Sequence, residues 1–594
     1  MTRRNPERQV RLLNGWWDFQ PAEQPDTANP AIPDEVPTKG WAANAYLVPG
    51  FFTDHYYPER WRRSRSGWAR TKFAVLEASP DRRLFLTLRA AIPQAHIFLN
   101  GRKIAIQDDM FIGEPMDVTE VLRTGENEVA IFLVEFPTFD HPDDPNTKLI
   151  EVPWGCCIAT EQAGLWQDVE LEGRPAVHAE DVTIRTSVRE AKITVITAVR
   201  NAGDKPFTGT VAAIIEDGRD EVLALPEMDI SIEAGATATV VQQAAWEHYR
   251  AWSPHDPHLY QLRTEIRHGR EPMDITRTRF GFREVWIEGH RIMLNGVPQR
   301  WSGEWCHKAH AHWLRPEYVR KWYAQIRDLG GNYVRMHTFP HPEYFLDIAD
   351  EMGLLVCQET ALHGSYQRGH DSPQLWQRAR EHVRRMVRRD KNHPSLVLWS
   401  VENEMRWALN IMPSAREELP KLRALFRELD PTRPAYHEGD SSLWNEEAQE
   451  IISRHYGTNC HGLGWWDRRR PLHAGEVGRW HYGSPYTALI WANDEVFADY
   501  AALSRSLAAD AARIVELGRA NEVSCLFIWN TSGLDNFRPG EARKFRWDQP
   551  QSRYAKPLAH KPYESEYAWW QEGAGYRPGF SFEIMRRALR KLAV

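Results

Sequence analysis

The second half of this 594-residue chain alternates short apolar runs with amphipathic helices, and this alternation restricts the fold more than any other feature. Val319, Trp322 and Ile326 recur at helical spacing, and Gly330–Gly331 ends that helix before the apolar run 332–336. Comparable runs occur at 300–303, 354–358, 395–400, 434–437, 451–455, 472–475 and 524–529, with further helical segments at 374–389 and 499–519. Eight such units, without a GxGxxG or P-loop motif, predict a (β/α)8 TIM barrel over residues 283–594.

The residues before this region have the period of β-strands. Apolar runs lie at 84–88, 95–99 and 129–134, and Asn100–Gly101 is a strong hairpin signal. Many short strands without a convincing helix predict a jelly-roll β-sandwich over residues 1–173. Runs at 193–199, 210–215 and 237–241 predict an immunoglobulin-like β-sandwich over 174–282, which we interpret as a spacer.

Composition and charge exclude several classes of partner. Lys and Arg number 74 against 81 Asp and Glu, so the formal charge of −7 gives no general attraction to nucleic acid or an anionic membrane. No run approaches the roughly 18 apolar residues of a membrane span, and the N-terminus lacks a signal-peptide core. We therefore expect a cytoplasmic chain, or a secreted or periplasmic one if a signal was removed. The six cysteines lack CxxC spacing, which favours reduced thiols over a disulfide or zinc framework.

Tryptophan is unusually frequent, with 26 residues against 22 Phe and 19 Tyr. A flat ring with one N–H donor suits a surface that holds an amphipathic ligand such as a sugar. Trp529 follows the last predicted barrel strand, and Trp305, Trp407, Trp465 and Trp480 follow or flank other strand ends. These five are candidates for the pocket, whereas Trp322 is expected in the core.

Two carboxylates follow predicted barrel strands at their carboxyl ends, where TIM barrels place their active sites. Asn–Glu occurs four times in the chain, but only Asn403–Glu404 directly follows an apolar strand at that end. Glu476 follows the strand near Leu472. One such carboxylate alone is usually a solvated loop charge. Two of them, on strands that we predict as the fourth and seventh, would form the pair that retaining glycoside hydrolysis requires.

Several segments carry a family likeness: 14–19 (NGWWDF), 163–169 (AGLWQDV), 332–340, 350–354 and 393–404, the last being the most specific. With these segments the chain resembles glycoside hydrolase family 2, the family of β-galactosidases, β-glucuronidases and β-mannosidases, over nearly its whole length. The resemblance implies that Glu404 is the general acid/base and Glu476 the nucleophile. The catalytic route that it implies needs no metal or organic cofactor.

The resemblance also implies substrate-binding residues around that pair. Asn403 would bind the sugar 2-hydroxyl, Tyr456 would orient the nucleophile and Trp529 would lie under the sugar. Arg335 matches an arginine that supports the nucleophile. Further candidates are His307 on the first loop, His337, Trp480, and the rim residues Glu359, Glu402 and His363. Cys306, His307, His310 and His312 are interpreted as a polar substrate loop and not as a metal site.

Three departures from the family pattern bear on the sugar. Ile158 stands where many members carry a sugar-binding Asp, and Glu161 is a possible substitute. No Asn-x-Lys motif of the kind that binds a glucuronide carboxylate follows Trp529, and His337–Thr338 replaces the usual Ser–His order. We expect an exo-acting retaining β-glycosidase that cleaves a galactose-like sugar from a small glycoside or oligosaccharide, and an oligomer only by resemblance. The alternatives are a β-glucuronide, β-mannoside or arabinoside substrate, or a catalytically inactive carbohydrate-binding protein.

Overall fold

A computed structural model describes the two sandwiches and most of the barrel. The described residues are 8–23, 28–54, 56–64, 66–75, 82–146, 148–151, 162–306, 315–364, 369–439, 449–455, 463–477, 509, 512–528, 568–571, 575–578 and 586–590. The predicted fold class is confirmed: two β-sandwiches precede a barrel of eight parallel strands.

The first sandwich packs a six-stranded antiparallel sheet, β3-β2-β4-β10-β7-β8, against a four-stranded one, β1-β14-β5-β9. Asn100 and Gly101 have φ values of 52° and 81° and form the predicted tight turn between β7 and β8. The expectation that this region has no helix is wrong, since α1 (Glu59–Ser64) buries Trp61 in the sandwich core. Strands β1–β14 are Gln9–Leu12, Gly15–Pro21, Ala42–Val48, Gly67–Val75, Arg82–Leu88, Ala91–Ile92, Gln94–Leu99, Arg102–Gln107, Met116–Asp117, Gly125–Val134, Thr138–Asp140, Lys148–Ile150, Gly164–Leu165 and Val169–Pro175.

The second sandwich has sheets β15-β16-β20 and β18-β17-β21-β22, with β19 paired to β17. Alternate residues of β16 are buried, as expected for a strand with one face on a core. A small sheet, β23-β24-β25, leads into the barrel. Strands β15–β25 are Val177–Ser187, Lys192–Asn201, Phe207–Asp217, Asp220–Ala224, Met228–Ile232, Thr237–Ala245, Tyr260–His268, Glu271–Phe280, Val285–Glu288, Arg291–Leu294 and Val297–Pro298.

The barrel strands are ordered β30-β29-β28-β27-β26-β33-β32-β31, and every adjacent pair is parallel. Ser453 on β31 nearly closes the ring, because its Oγ accepts a bond from Gly439 N at 3.0 Å and donates to Glu438 Oε1 at 2.6 Å. Strands β26–β33 are Trp301–Cys306, Tyr333–Met336, Leu355–Glu359, Leu396–Asn403, Ala435–Glu438, Ile452–His455, Leu472–Val477 and Cys525–Ile528. A final hairpin, β34–β35, comprises Ala568–Gln571 and Gly575–Pro578.

Helices cover the barrel and join it to the sandwiches. Trp322 lies 4% exposed on the inner face of α2, where the sequence predicts it. The first sandwich contacts the helices through Arg89 Nη1–Glu343 Oε2 at 2.8 Å, and the second contacts the barrel base through Asn392 Nδ2, which donates to Val182 O at 2.7 Å. Helices α2–α5 are Pro316–Leu329, Glu343–Met352, Pro373–Asp390 and Ala415–Leu429. Within the described residues no helix is long and apolar enough to span a membrane.

Candidate active site

Glu404 and Glu476 meet at the carboxyl end of the barrel. Glu404 directly follows β29, the fourth barrel strand, and Glu476 is on β32, the seventh. A carboxylate oxygen of each lies within 4.8 Å of the other, and their side chains are 7% and 3% exposed. Retaining glycosidases place their two carboxyl groups about 5–5.5 Å apart, whereas inverting enzymes need roughly 6.5–9.5 Å. The arrangement therefore has the spacing of a retaining pair.

His455, at the end of β31, lies between these carboxylates. Its Nδ1 is 2.6 Å from Glu404 Oε1 and 3.5 Å from Glu476 Oε2, and its Nε2 is 3.0 Å from Glu438 Oε1. Burial alone would lower the pKa of His455, but Glu476, Glu404 and Glu438 raise it to about 10. The ring is thus an imidazolium at neutral pH and holds three carboxylates with two N–H groups.

Glu438, at the end of β30, is the buried anchor of this arrangement. It accepts bonds from Tyr436 Oη at 2.5 Å and Ser453 Oγ at 2.6 Å, besides His455. Burial is the largest single effect and would raise the pKa of Glu438, but Arg335, His473 and His455 together outweigh it and hold the pKa well below its usual value. A Cβ at Gly475 would come within 1.8 Å of Glu438 Oε1, so the residue before the nucleophile candidate must be glycine.

Arg335, on β27, links the centre of the site to the nucleophile candidate. Its Nη1 donates to Glu476 Oε1 at 3.2 Å, its Nη2 donates to Asn403 Oδ1 at 2.5 Å, and its Nε and Nη2 each reach Glu359 at 3.1 Å. Because a guanidinium can only donate, the oxygen of the Asn403 side chain faces Arg335 and its NH2 points away. That NH2 is the group which the predicted contact to a sugar 2-hydroxyl requires.

Glu359 differs from the other carboxylates in its protonation. Burial is the largest effect and raises its pKa, Arg335 opposes burial, and the net result is a pKa of about 7. Its oxygens accept bonds from Thr338 N and Ser400 Oγ, both at 2.6 Å. Glu359 and Glu402 are both 0% exposed, so their predicted position on the rim is wrong.

His337 and His363 lie together beside Glu476. His337 Nε2 is 3.5 Å from Glu476 Oε1, and the two rings meet edge to face with centroids 5.7 Å apart. They are 2% and 7% exposed. The other predicted residues, His307, Tyr456, Trp480 and Trp529, lie outside the described residues.

Sequence reasoning did not select Glu438, His455 or His473 as site residues. The strand prediction at 434–437 ended one residue before Glu438. Tyr456 was expected to orient the nucleophile, while in the structure the preceding residue, His455, contacts it. The signal that could have found Glu438 and His455 is a polar residue ending each of two consecutive strands, β30 and β31, whereas His473 lies near the start of β32 and carries no such signal.

Two groups of described residues have the spacing of metal ligands, and each contains a protein cation. In the first, Glu404, His455 and Glu476, the carboxylates raise the pKa of the His455 imidazole to about 10 against the effect of burial, so a metal would have to displace its proton. In the second, Asp347, Asp350 and His393, Arg279 Nη2 lies 2.5 Å from Asp347 Oδ1, and His393 Nδ1 lies 2.6 Å from Asp350 Oδ2.

Family models match all three parts of the chain. They are the Glycosyl hydrolase 2 galactose-binding domain-like model over residues 17–161, Glycosyl hydrolases family 2 over 177–283, and Glycosyl hydrolases family 2, TIM barrel domain over 281–468. The chain belongs to glycoside hydrolase family 2. The barrel match ends before Glu476, so the assignment of that residue depends on geometry.

Relatives within family 2 differ in the sugar that their names specify. A β-galactosidase of Pseudoalteromonas haloplanktis is 24% identical over 76% of this chain and 45% of its own length. A putative β-glucuronidase of Formosa agariphila is 26% identical over 62% of this chain and 33% of its own length. The chain thus spans less than half the length of these two relatives. A crystal structure of a GH2 β-galacturonidase from Eisenbergiella tayi bound to galacturonate covers 100% of this chain and 98% of its own, with a TM-score of 0.71 and 19% identity.

Proposed function

We propose that this chain is an exo-acting retaining β-glycosidase in which Glu476 is the nucleophile and Glu404 the general acid/base. The observation that carries the proposal is the pair of carboxylate oxygens within 4.8 Å across the barrel mouth. A dead carbohydrate-binding copy would be under no constraint to keep both groups, or the Arg335 and His455 contacts that hold them.

The proposed reaction has two displacements. In the first, a Glu476 oxygen attacks the anomeric carbon, the glycosidic C–O bond breaks, and Glu404 gives its proton to the leaving oxygen. In the second, Glu404 takes a proton from water, whose oxygen attacks the anomeric carbon and releases Glu476. Asn403 NH2 would bond the 2-hydroxyl, a contact that strengthens in the transition state.

Different contacts hold the two carboxylates in their different roles. Arg335 Nη1 bonds one oxygen of Glu476 at 3.2 Å, which favours the ionised form that a nucleophile needs. His455 contacts the other oxygen and also Glu404, and we assign it the positioning role that the resemblance gave to Tyr456. Its cation is fixed in turn by Glu438, so the distance between the two carboxylates depends on this buried pair.

The proposed sugar is galactose-like, and a β-galacturonide is the second candidate. The β-galactosidase relative supports the first, and the solved β-galacturonidase, which this chain matches at full length, supports the second. Galactose and galacturonate differ only at C6, so one binding site could distinguish them by charge alone.

A panel of 4-nitrophenyl glycosides tests both parts of the proposal. We expect turnover of the β-galactoside or the β-galacturonide, no turnover of the α-anomers, and release of the β-sugar as the first product in ¹H NMR. Release of the α-sugar would contradict the retaining mechanism. Absence of turnover across the panel, which would include glucuronide, mannoside and arabinoside, would favour the binding-protein alternative.

A further inference from the structure

Trp407, three residues after the general acid/base candidate Glu404, is exposed at the barrel mouth. Trp407 is 52% exposed, whereas Trp301, Trp322, Trp376, Trp399 and Trp466 of the barrel are each at most 6% exposed and Trp465 is partly buried. An exposed aromatic face of this kind binds the apolar face of a sugar or an aromatic ring. Its position decides which part of a substrate it would contact.

Trp407 lies on the 3-10 turn Met405–Ala408, which begins directly after Glu404. Met405 and Ala408 are each 1% exposed and anchor the turn in the core. Glu404 has φ 53°, a left-handed conformation that turns the chain sharply at the end of β29. The turn therefore holds Trp407 outward while its two buried residues fix it to the barrel.

Arg406 on the same turn places a cation between Trp407 and Glu404. Its guanidinium carbon lies 5.0 Å from the Trp407 ring centroid, and its Nη2 is 3.8 Å from Glu404 Oε1. Its Nη1 donates to Gly439 O at 3.4 Å, and the side chain is 30% exposed. The guanidinium is thus held in place on the turn and is partly exposed.

We propose that Arg406 and Trp407 form the subsite for the leaving group, and that this subsite selects a leaving group which carries a carboxylate on a ring. The inference rests on the proposed function, because a general acid must touch the glycosidic oxygen, and the leaving group then lies against the turn that follows Glu404. Trp407 would pack on the ring face. Arg406 would bind the carboxylate, with the planar two-pronged geometry that suits an oxyanion.

The test compares two aryl glycosides of the sugar that the nitrophenyl panel selects, one with a 4-carboxyphenyl and one with a neutral 4-carbamoylphenyl leaving group. We expect Arg406→Gln to lower the acid-to-neutral ratio of kcat/KM by roughly tenfold or more, as loss of a charged hydrogen bond does. Trp407→Ala should lower kcat/KM about threefold to tenfold on both substrates, because it removes packing and no charge. An acid-to-neutral ratio that is unchanged in Arg406→Gln would overturn the proposal.

Two controls separate the subsite from general effects. Arg469→Gln removes an arginine whose side chain is 84% exposed and which pairs only weakly with Asp467 at 3.7 Å. It should leave the ratio unchanged. Arg406→Lys keeps the charge without the planar fork and should restore part of the preference for the acid.

A binding measurement distinguishes failure of the subsite from failure of the proposed function. If wild-type enzyme turns over neither glycoside, the proposed function fails, and calorimetric titration with 4-hydroxybenzoate and 4-hydroxybenzamide decides the subsite. Tighter binding of the acid by wild type, lost in Arg406→Gln, supports it. Equal affinities for the acid and the amide contradict it.

Discussion

The two ends of the barrel both bury charged side chains, but they pair them differently. At the base, His393 and Arg433 each lie against a different carboxylate: His393 Nδ1 is 2.6 Å from Asp350, and Arg433 Nε is 3.2 Å from Asp430. Among the described buried residues at the mouth, carboxylates outnumber cations. Arg335 and His455 are shared by four buried carboxylates, Glu359, Glu404, Glu438 and Glu476.

This difference appears in how the groups titrate. Burial alone would lower the pKa of His393, but Asp350, with smaller contributions from Glu343 and Asp390, raises it to about 9, as expected for a stable ion pair. At the mouth, the pKa of Glu359 rises to about 7 while that of Glu438 falls well below its usual value. The close ion pairs at the base favour stability, whereas the excess of carboxylates at the mouth separates their protonation states, as acid/base chemistry requires.

The largest effect is expected from Glu476→Gln, which removes the proposed nucleophile and keeps its shape. We expect kcat to fall about 10⁴-fold or more, because no covalent intermediate can form. Steady-state kinetics on the nitrophenyl glycoside measure it. Activity within tenfold of wild type would show that the mouth carboxylates are not used as proposed.

Glu404→Gln should have the next largest effect, about 10²–10⁴-fold on kcat. The loss should be greater for an alkyl glycoside than for a nitrophenyl glycoside, because a poor leaving group depends more on its proton. The loss on each substrate is measured as the ratio of kcat for wild type to kcat for the variant. An equal loss on both substrates would contradict the assignment of Glu404 as the general acid.

His455→Gln should lower kcat about 10–100-fold with little change in KM, because the ring positions the carboxylates rather than the sugar. The acid limb of the pH profile should move to higher pH, since loss of a cation 3.5 Å from Glu476 Oε2 makes the ionised carboxylate less favourable. His393→Gln is the matched control, because it removes a buried histidine 2.6 Å from Asp350 at the base of the barrel. A pH profile that moves equally in both variants would reduce His455 to a structural role.

His393→Gln at the base should change turnover least, with kcat of the folded enzyme within about twofold of wild type. Stability should change instead. The folded-state pKa of about 9 exceeds the ordinary value of 6.5, so the pair's contribution is complete below pH 6.5 and is lost as the pH rises through 9. Unfolding measured across that interval should show a loss on the order of 3 kcal/mol in wild type that the variant lacks. Parallel pH dependences of wild type and variant would contradict the pairing of His393 with Asp350.

The sequence was sufficient to predict the three-part fold and to bring both candidate carboxylates to the barrel mouth, because strand period and strand ends are local properties. Burial of the side chains at the barrel mouth could not be predicted in this way, because it depends on how distant segments pack together. Glu359 and Glu402 follow predicted strands, as Glu404 does. Only the packed barrel shows that Glu359 and Glu402 are fully enclosed. Glu438 and His455 were missed for the same reason, since they are brought together only by the adjacency of β30 and β31 in the packed barrel.

The most direct test of the central claim is covalent trapping with the 2-deoxy-2-fluoro glycosyl fluoride of the preferred sugar. The fluorine destabilises the second displacement's transition state, so the glycosyl-enzyme accumulates and can be digested and located by mass spectrometry. The account predicts one fluoroglycosyl group per chain, attached to Glu476. A label on Glu404, Glu438 or Glu359, or an active enzyme that acquires no label, would contradict it.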